Sequence, residues 1–142
     1  MKVDEVLRVF VSGVPIPQGS KKIGGSGQLI NDNDKPLKAW RKSMRTAVEV
    51  LHHGERIDAD AIVVDVVFSM PRPATVRRPL PSVRPDVDKL LRAVLDALTE
   101  AAVWKDDGQV VTATASKVYT PDRPGALIRV GRVTPNKEER SN

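Results

Sequence analysis

Four aspartates in the stretch Arg84 to Val110, RPDVDKLLRAVLDALTEAAVWKDDGQV, have the type and spacing to hold a hard cation. Asp86 and Asp88 fall at the start of an amphipathic helix, and Asp106 and Asp107 in a turn just beyond it. Clustered carboxylate oxygens bind ions such as Mg²⁺. One or two ions held there (paired ions lie roughly 3.5–4 Å apart) would clamp the oxygens that attack and leave a phosphodiester. Arg92, one turn beyond Asp88, is placed to stabilise charge growing on a phosphate.

Each feature also has a plainer use. Asp86 follows Pro85 and suits an N-cap, and Asp88 in the first turn favours the helix dipole. Asp88, Arg92 and Asp96 stand at i, i+4 and i+8, the spacing of a surface salt-bridge ladder. Asp107-Gly108 is a hairpin turn signal. A calcium loop of the EF-hand type fails, because the sixth position from Asp86 is Leu91 and the twelfth is Ala97. What favours chemistry is the coincidence of both carboxylate pairs around one helix. A return strand would carry Asp107 back toward Asp86 and Asp88. No Ser-His-Asp or Cys-His arrangement competes. His52 and His53 end an earlier helix, where a dipole contact suffices, and GGSG from Gly24 lacks the Lys of a phosphate-binding loop.

The elements that must position these residues are legible. Val6 to Val14 alternates as a strand. A long Gly-rich polar segment follows, with a short hairpin expected around Gln28 to Ile30. Asp34 and Pro36 open a helix that runs to about His53, with Leu37, Trp40, Met44, Ala47, Val48 and Leu51 on one face. Lys38, Arg41, Lys42 and Arg45 fall on the other face, either solvated or meeting phosphate. Ala61 to Phe68 reads as a central strand buried on both faces. Met70 to Pro85 has five prolines and four arginines, a stiffened basic loop leading to Asp86. The second helix spans about Val87 to Glu100 on Val87, Leu90, Leu91, Val94, Leu95 and Leu98. A short strand at Val103-Trp104, strands over Val110 to Tyr119 and Ala126 to Val133, and a frayed end from Thr134 complete the chain. The fold class is mixed α/β of the α+β type, one sheet with two main helices.

A chain of 142 residues with 40% hydrophobic content supports one domain and one modest core. Its net charge is +5, and the basic excess sits in two blocks, Ser20 to Arg45 and Arg72 to Arg92. Carboxylates inside basic blocks suit metal-assisted work on a polyanion. The chain has no Cys, hence no disulfide and no Cys-ligated zinc. No signal peptide or membrane span is expected, so a soluble cytoplasmic protein without membrane contact is the reading. An aromatic content of 4% argues against binding single strands by repeated base stacking.

PDVDKLLRAVLDAL…VWKDDGQV resembles the RusA family of Holliday junction resolvases, including its phage and prophage members. The family pattern runs Asp-x-Asp-Asn-x-x-Lys, Asp-Ala-Leu, Asp-Asp-x-Gln. GVPIPQGSKK near the N-terminus and the Trp of the first helix are similar too, so the likeness covers about Val11 to Val133. It implies a single RusA-like domain over residues 1–134, with 135–142 as a flexible tail. It implies a homodimeric endonuclease that uses Mg²⁺, with Mn²⁺ as substitute, to resolve four-way DNA junctions during recombination and repair. Relatives that cut forks or flaps, and inactive DNA-binding relatives, are the alternatives. By position, Asp86, Asp88 and Asp107 match the metal-holding aspartates, with Asp106 as the alternative to Asp107 and Asp96 in a supporting role. Lys89 replaces the usual Asn, and Arg92 stands where the family has its catalytic Lys. Arg is a planar fork and not a point charge. Lys21, Lys22, Arg77, Arg78, Arg84 and Lys89 are the candidate DNA contacts.

Overall fold

The computed structural model describes residues 1–19, 21–23, 27, 29–31 and 34–136, with the backbone alone at 21–23, 29–31 and 34. The elements in chain order are β1 (Lys2–Ser12), β2 (Lys21–Ile23), β3 (Leu29–Asn31), α1 (Asp34–Leu51), β4 (Ala61–Pro71), α2 (Val87–Glu100), β5 (Val110–Thr120) and β6 (Gly125–Thr134). The short β2–β3 hairpin and both helices stand close to their predicted places. The Lys21 and Lys22 side chains and the segment 137–142 lie outside the described residues.

A four-stranded sheet runs β1-β6-β4-β5. β6 is antiparallel to both β1 and β4, whereas β5 is parallel to β4. The parallel pair follows from connectivity: α2 and its flanking segments form the crossover that two parallel strands need. β5 and β6 are joined by four residues, 121–124, yet they do not pair. The connection passes the end of β4, and β6 lies on the far side of that strand.

Both helices pack on one face of the sheet. Ile62, Val64, Val66, Phe68 and Met70 of β4 join Leu7, Val9 and Val11 of β1 in a single core with Trp40, Met44 and Val48 of α1 and Leu90, Val94 and Leu98 of α2. The sequence suggests that β4 is buried on both faces. It is central, but its alternate residues Ala61, Val63, Asp65, Val67 and Ser69 are half-exposed, because neither described helix covers that side. β4 also extends through Met70 and Pro71, two residues into the expected loop. Pro71 is tolerated as the terminal residue, where a missing N–H costs least.

Two further expectations change. Val103-Trp104 is no strand but a single bridge, Trp104 to Ile57. Asp107-Gly108 makes no hairpin; Asp107–Gln109 is a turn of 3-10 helix that leads straight into β5. Asp106 Oδ1 accepts the Gly108 N–H at 2.7 Å, and Gln109 Oε1 accepts the Asp106 N–H at 2.9 Å. This is a capping box. Gln109 Nε2 also donates to the carbonyls of Ile57 and Asp60, which fixes the turn to the chain before β4. On α1, Arg41 and Arg45 both pair with Glu100 at the end of α2 and clamp the two helices together. Half of the predicted basic face is therefore structural.

α2 ends in a Schellman motif. The Ala102 N–H donates to Thr99 O at 3.1 Å and the Val103 N–H to Leu98 O at 3.2 Å. Val103, with no exposed surface, then follows Leu98 into the core, as the motif favours. The residue that must turn left-handed is Ala102, at φ 59°. An L-residue with a Cβ pays about 1–2 kcal/mol there, and glycine does not. Ala102→Gly, at an exposed position, should therefore stabilise the protein by about 1 kcal/mol, read by denaturant unfolding. A loss of stability would show that the helix ends differently in solution.

Candidate active site

The loop from Arg72 to Pro85 links the end of β4 to Asp86, and much of its charge is used to hold itself. Arg72 donates from Nε to Val76 O and from Nη2 to Arg78 O, at 3.1 and 3.0 Å. Its guanidinium lies 5.4 Å from the ring centroid of Tyr119, near the end of β5. Arg78 Nε donates to the Tyr119 hydroxyl at 2.8 Å. Lys117 Nζ donates to Val83 O at 2.7 Å and Pro85 O at 2.8 Å. A strand thus grips the loop at two residues just before Asp86. Arg77 and Arg84 are exposed, and neither pairs with another described residue.

Asp86 occupies the N-cap of α2 in an extended conformation, with φ −69° and ψ 136°, but its side chain does not cap the helix. Its carbonyl takes the Leu90 N–H at 3.1 Å, the ordinary first bond of the helix, and the carboxylate makes no cap. Asp88 lies in the first turn, on the exposed face opposite Leu90, Val94 and Leu98. Neither carboxylate has a hydrogen bond or ion pair to another described residue. The helix-cap explanation of Asp86 therefore fails, and the ladder explanation of Asp88 lacks its first rung.

Arg92 Nη1 lies 2.7 Å from Asp107 Oδ2 and 3.7 Å from Asp96 Oδ1. The turn before β5 has thus returned Asp107 to the side of α2, one turn beyond Asp88. Asp106 points elsewhere, with Oδ1 used inside its own turn. Among the described residues no three His, Asp or Glu side chains are gathered into a closed metal-holding group. The arrangement is open: two unpartnered aspartates at a helix start, and a third held by an arginine.

Two adjoining clefts meet at these residues. One, of about 650 Å³, includes Asp86, Arg84, Lys89 and Tyr119 in its wall. The other, of about 410 Å³, includes Asp88, Lys89 and Arg92. Gln18 and Gly19 border both. The Gln18 N–H donates to Lys89 O at 3.0 Å, which ties the segment after β1 to the start of α2. Lys117, Tyr119 and Gln18 were not predicted from sequence. Tyr119 is the only Tyr of the chain, the one signal available for it. Lys117, a lone cation in a Thr- and Ala-rich strand, gave none.

A family model described as Endodeoxyribonuclease RusA matches residues 12–131, a span that contains every site residue named above from Arg72 to Tyr119. Among curated proteins, "Uncharacterized protein YqaN" of Bacillus subtilis (strain 168) is 27% identical over 138 residues, covering 88% of this chain and 96% of the relative.

The Lys117 grip makes a testable statement about the loop. Three of its four arginines precede proline, so Arg77-Arg78 is the one bond in the loop open to trypsin. Lys117→Met should speed cleavage at that bond several-fold in native protein, while Lys117→Arg should not. Equal protection in Lys117→Met would mean that the two carbonyl contacts do not hold the loop.

Proposed function

The chain belongs to the RusA endodeoxyribonuclease family, and from that premise we propose that it is a Mg²⁺-dependent, homodimeric endonuclease that resolves Holliday junctions by paired nicks. The observation that carries this reading is the pair of aspartates at the start of α2 whose carboxylates have no partner within the described structure, set between exposed cations. Two carboxylates two residues apart repel each other, and a cation between them would relieve that.

The donor set fits Mg²⁺. That ion takes one or two carboxylates and completes its shell with substrate phosphate and water, so a closed protein cage is not required. Asp86 and Asp88 would hold it, with Mn²⁺ as a substitute. Asp107 has Oδ1 beyond its contact with Arg92 and is the third donor by position; Asp106, engaged in its turn, is the weaker candidate. A cation bound there supplies Lewis acidity at the phosphoryl oxygen and lowers the pKa of water.

The remaining steps belong to the chain. Arg92 stands where the growing phosphate charge can meet a guanidinium, and its bond to Asp107 orients that guanidinium beforehand. Asp96, 3.7 Å away, steadies the same group. Arg77 and Arg84 contact backbone phosphates, as does Lys89 from the wall between the clefts. Arg78 keeps donors beyond the one given to Tyr119 and lies at the same edge. Lys21 and Lys22 remain candidates by sequence. A four-way junction has approximate two-fold symmetry, and a C₂ dimer offers two sites in matching relation.

The test is cleavage of synthetic junctions, forks, flaps and linear duplex with Mg²⁺. Junction-selective paired nicking is expected; preference for forks or flaps would reassign the substrate, and binding without cleavage would mark an inactive relative. Asp86→Asn and Asp88→Asn should each abolish nicking and leave junction binding intact or tighter, because each removes a ligand and a negative charge. Arg92→Ala should slow nicking by about 10²–10³, the cost of one lost charge-stabilising donor, with Arg92→Lys retaining much of the rate. Normal rates in these variants would dismantle the site.

Phosphate contact has its own signature. Replacing Arg77 and Arg84 together by Ala should shallow the logarithmic salt dependence of binding by up to about two units per protomer, at roughly 0.9 per phosphate on duplex arms, for all sequences alike. An unchanged slope would remove both from the interface.

A further inference from the structure

The larger cleft beside Asp86 is built unlike the exposed surface around it. Seven prolines contribute to its wall, from the segment after β1, the first turn of α1, the end of β4 and the loop before α2. Each proline lacks an N–H and has a fixed φ, so this wall is apolar and already set in shape. Val14, Ile16, Met70 and Val83 add apolar surface, and Tyr119 adds an aromatic ring. That ring is held from two sides, by the Arg72 guanidinium over it and by Arg78 at its hydroxyl. Arg84 and Lys89 border the same space. At about 650 Å³ the cleft falls within the range of small-molecule sites, roughly 300–1,000 Å³.

An apolar wall with a fixed aromatic ring and flanking cations suits a flat aromatic group joined to an anion. A nucleotide has that chemistry, with a base face to pack and a phosphate to pair. An extended peptide adding itself as a strand would find few backbone donors on a wall of prolines. The position favours the same occupant. The two clefts share Gln18, Gly19 and Lys89, with Asp86 in one and Asp88 in the other. A phosphate held at these aspartates therefore puts its neighbouring nucleotide at the mouth of the larger cleft. Gln18 brings a polar edge: its side-chain oxygen is buried without a partner among the described residues. Base edges carry amine and ring N–H donors.

We propose that this cleft receives one unstacked nucleobase of the branched DNA, adjacent to the phosphate that is cut. The inference rests on the reading of the chain as a nuclease for branched DNA. Branched DNA is the substrate from which such a base is most readily taken, since leaving the stack costs least where pairing is already interrupted. The cleft then contributes to where the nick falls rather than to how tightly the junction is held.

The experiment uses full-length protein and four-way junctions with 2-aminopurine placed singly at each position around the branch point, in Ca²⁺ to separate binding from cleavage. Anisotropy of a dye on a distal arm reports complex formation independently. One position next to the cut should brighten several-fold in the complex. Val14 and Val83 are 48% and 47% exposed at the wall of the cleft, so Val14→Trp and Val83→Trp occlude it without disturbing the core. Both should abolish the brightening while junction affinity by anisotropy stays within about three-fold. Brightening that survives both variants overturns the proposal, because the base then goes elsewhere. A complex seen by anisotropy in which no position brightens also overturns it and leaves the nuclease reading standing. A protein that neither binds nor nicks any branched DNA ends both.

Discussion

The parallel pairing of β4 with β5 is the constraint on which the site depends. Parallel neighbours force the chain to cross over, and the crossover is α2, held down by Leu90, Ala93, Val94, Leu95, Ala97 and Leu98. The pairing brings the ends of both strands to one edge, where Met70 sits beside Tyr119 and Pro71 beside Thr120. The loop leaving β4 must pass the end of β5 to reach α2, so Lys117 and Tyr119 can grip it. Asp86 inherits its position from that grip and from the helix it begins. Openings at the carboxyl ends of parallel strands are where α/β sheets bind ligands in general. Here the opening is roofed by prolines.

Charge is distributed with a division of labour. Arg41 and Arg45 clamp the helices through Glu100, and Arg72 braces the loop. Those cations stabilise the scaffold. Arg77 and Arg84 are left exposed in the loop that leads to Asp86, and Arg84 borders the same cleft as that aspartate. A uniformly basic surface would attract DNA but would not localise a divalent ion. On the proposed reading, two unneutralised carboxylates within a basic rim do both, drawing phosphate to the rim and a metal to the centre.

The helices and strands near the site were legible because their patterns are local. α2 starts and ends where its 3.6-residue spacing and Pro85 predict, and β4 announces itself by its β-branched run. The pairing of strands was not legible. Asp107-Gly108 is a sound turn signal, but a turn does not name the partner of the strand that follows it. That partner lies on the far side of a helix. β1 begins at Lys2, four residues earlier than expected, because its first residues are polar and exposed at a sheet edge where no alternation is imposed. In the site, the aspartates and Arg92 were visible as a motif. Their supports, Lys117 and Tyr119, are distant in sequence and ordinary in type, so only the fold brings them to Asp86.

The pairing of β1 with β6 joins strands far apart in sequence, with Lys2 opposite Thr134. β1 must therefore wait for β6. Until β6 arrives, β1 has no neighbour, and β4 lacks the strand that separates it from β1. Long-range strand pairing is slow to form because the loop must close before any contact rewards it. Until β5 is made, the carboxylates of α2 lack the edge that frames them. A chain cut short before β6 lacks the strand between β1 and β4. The sheet that carries that edge closes only once β6 has been made.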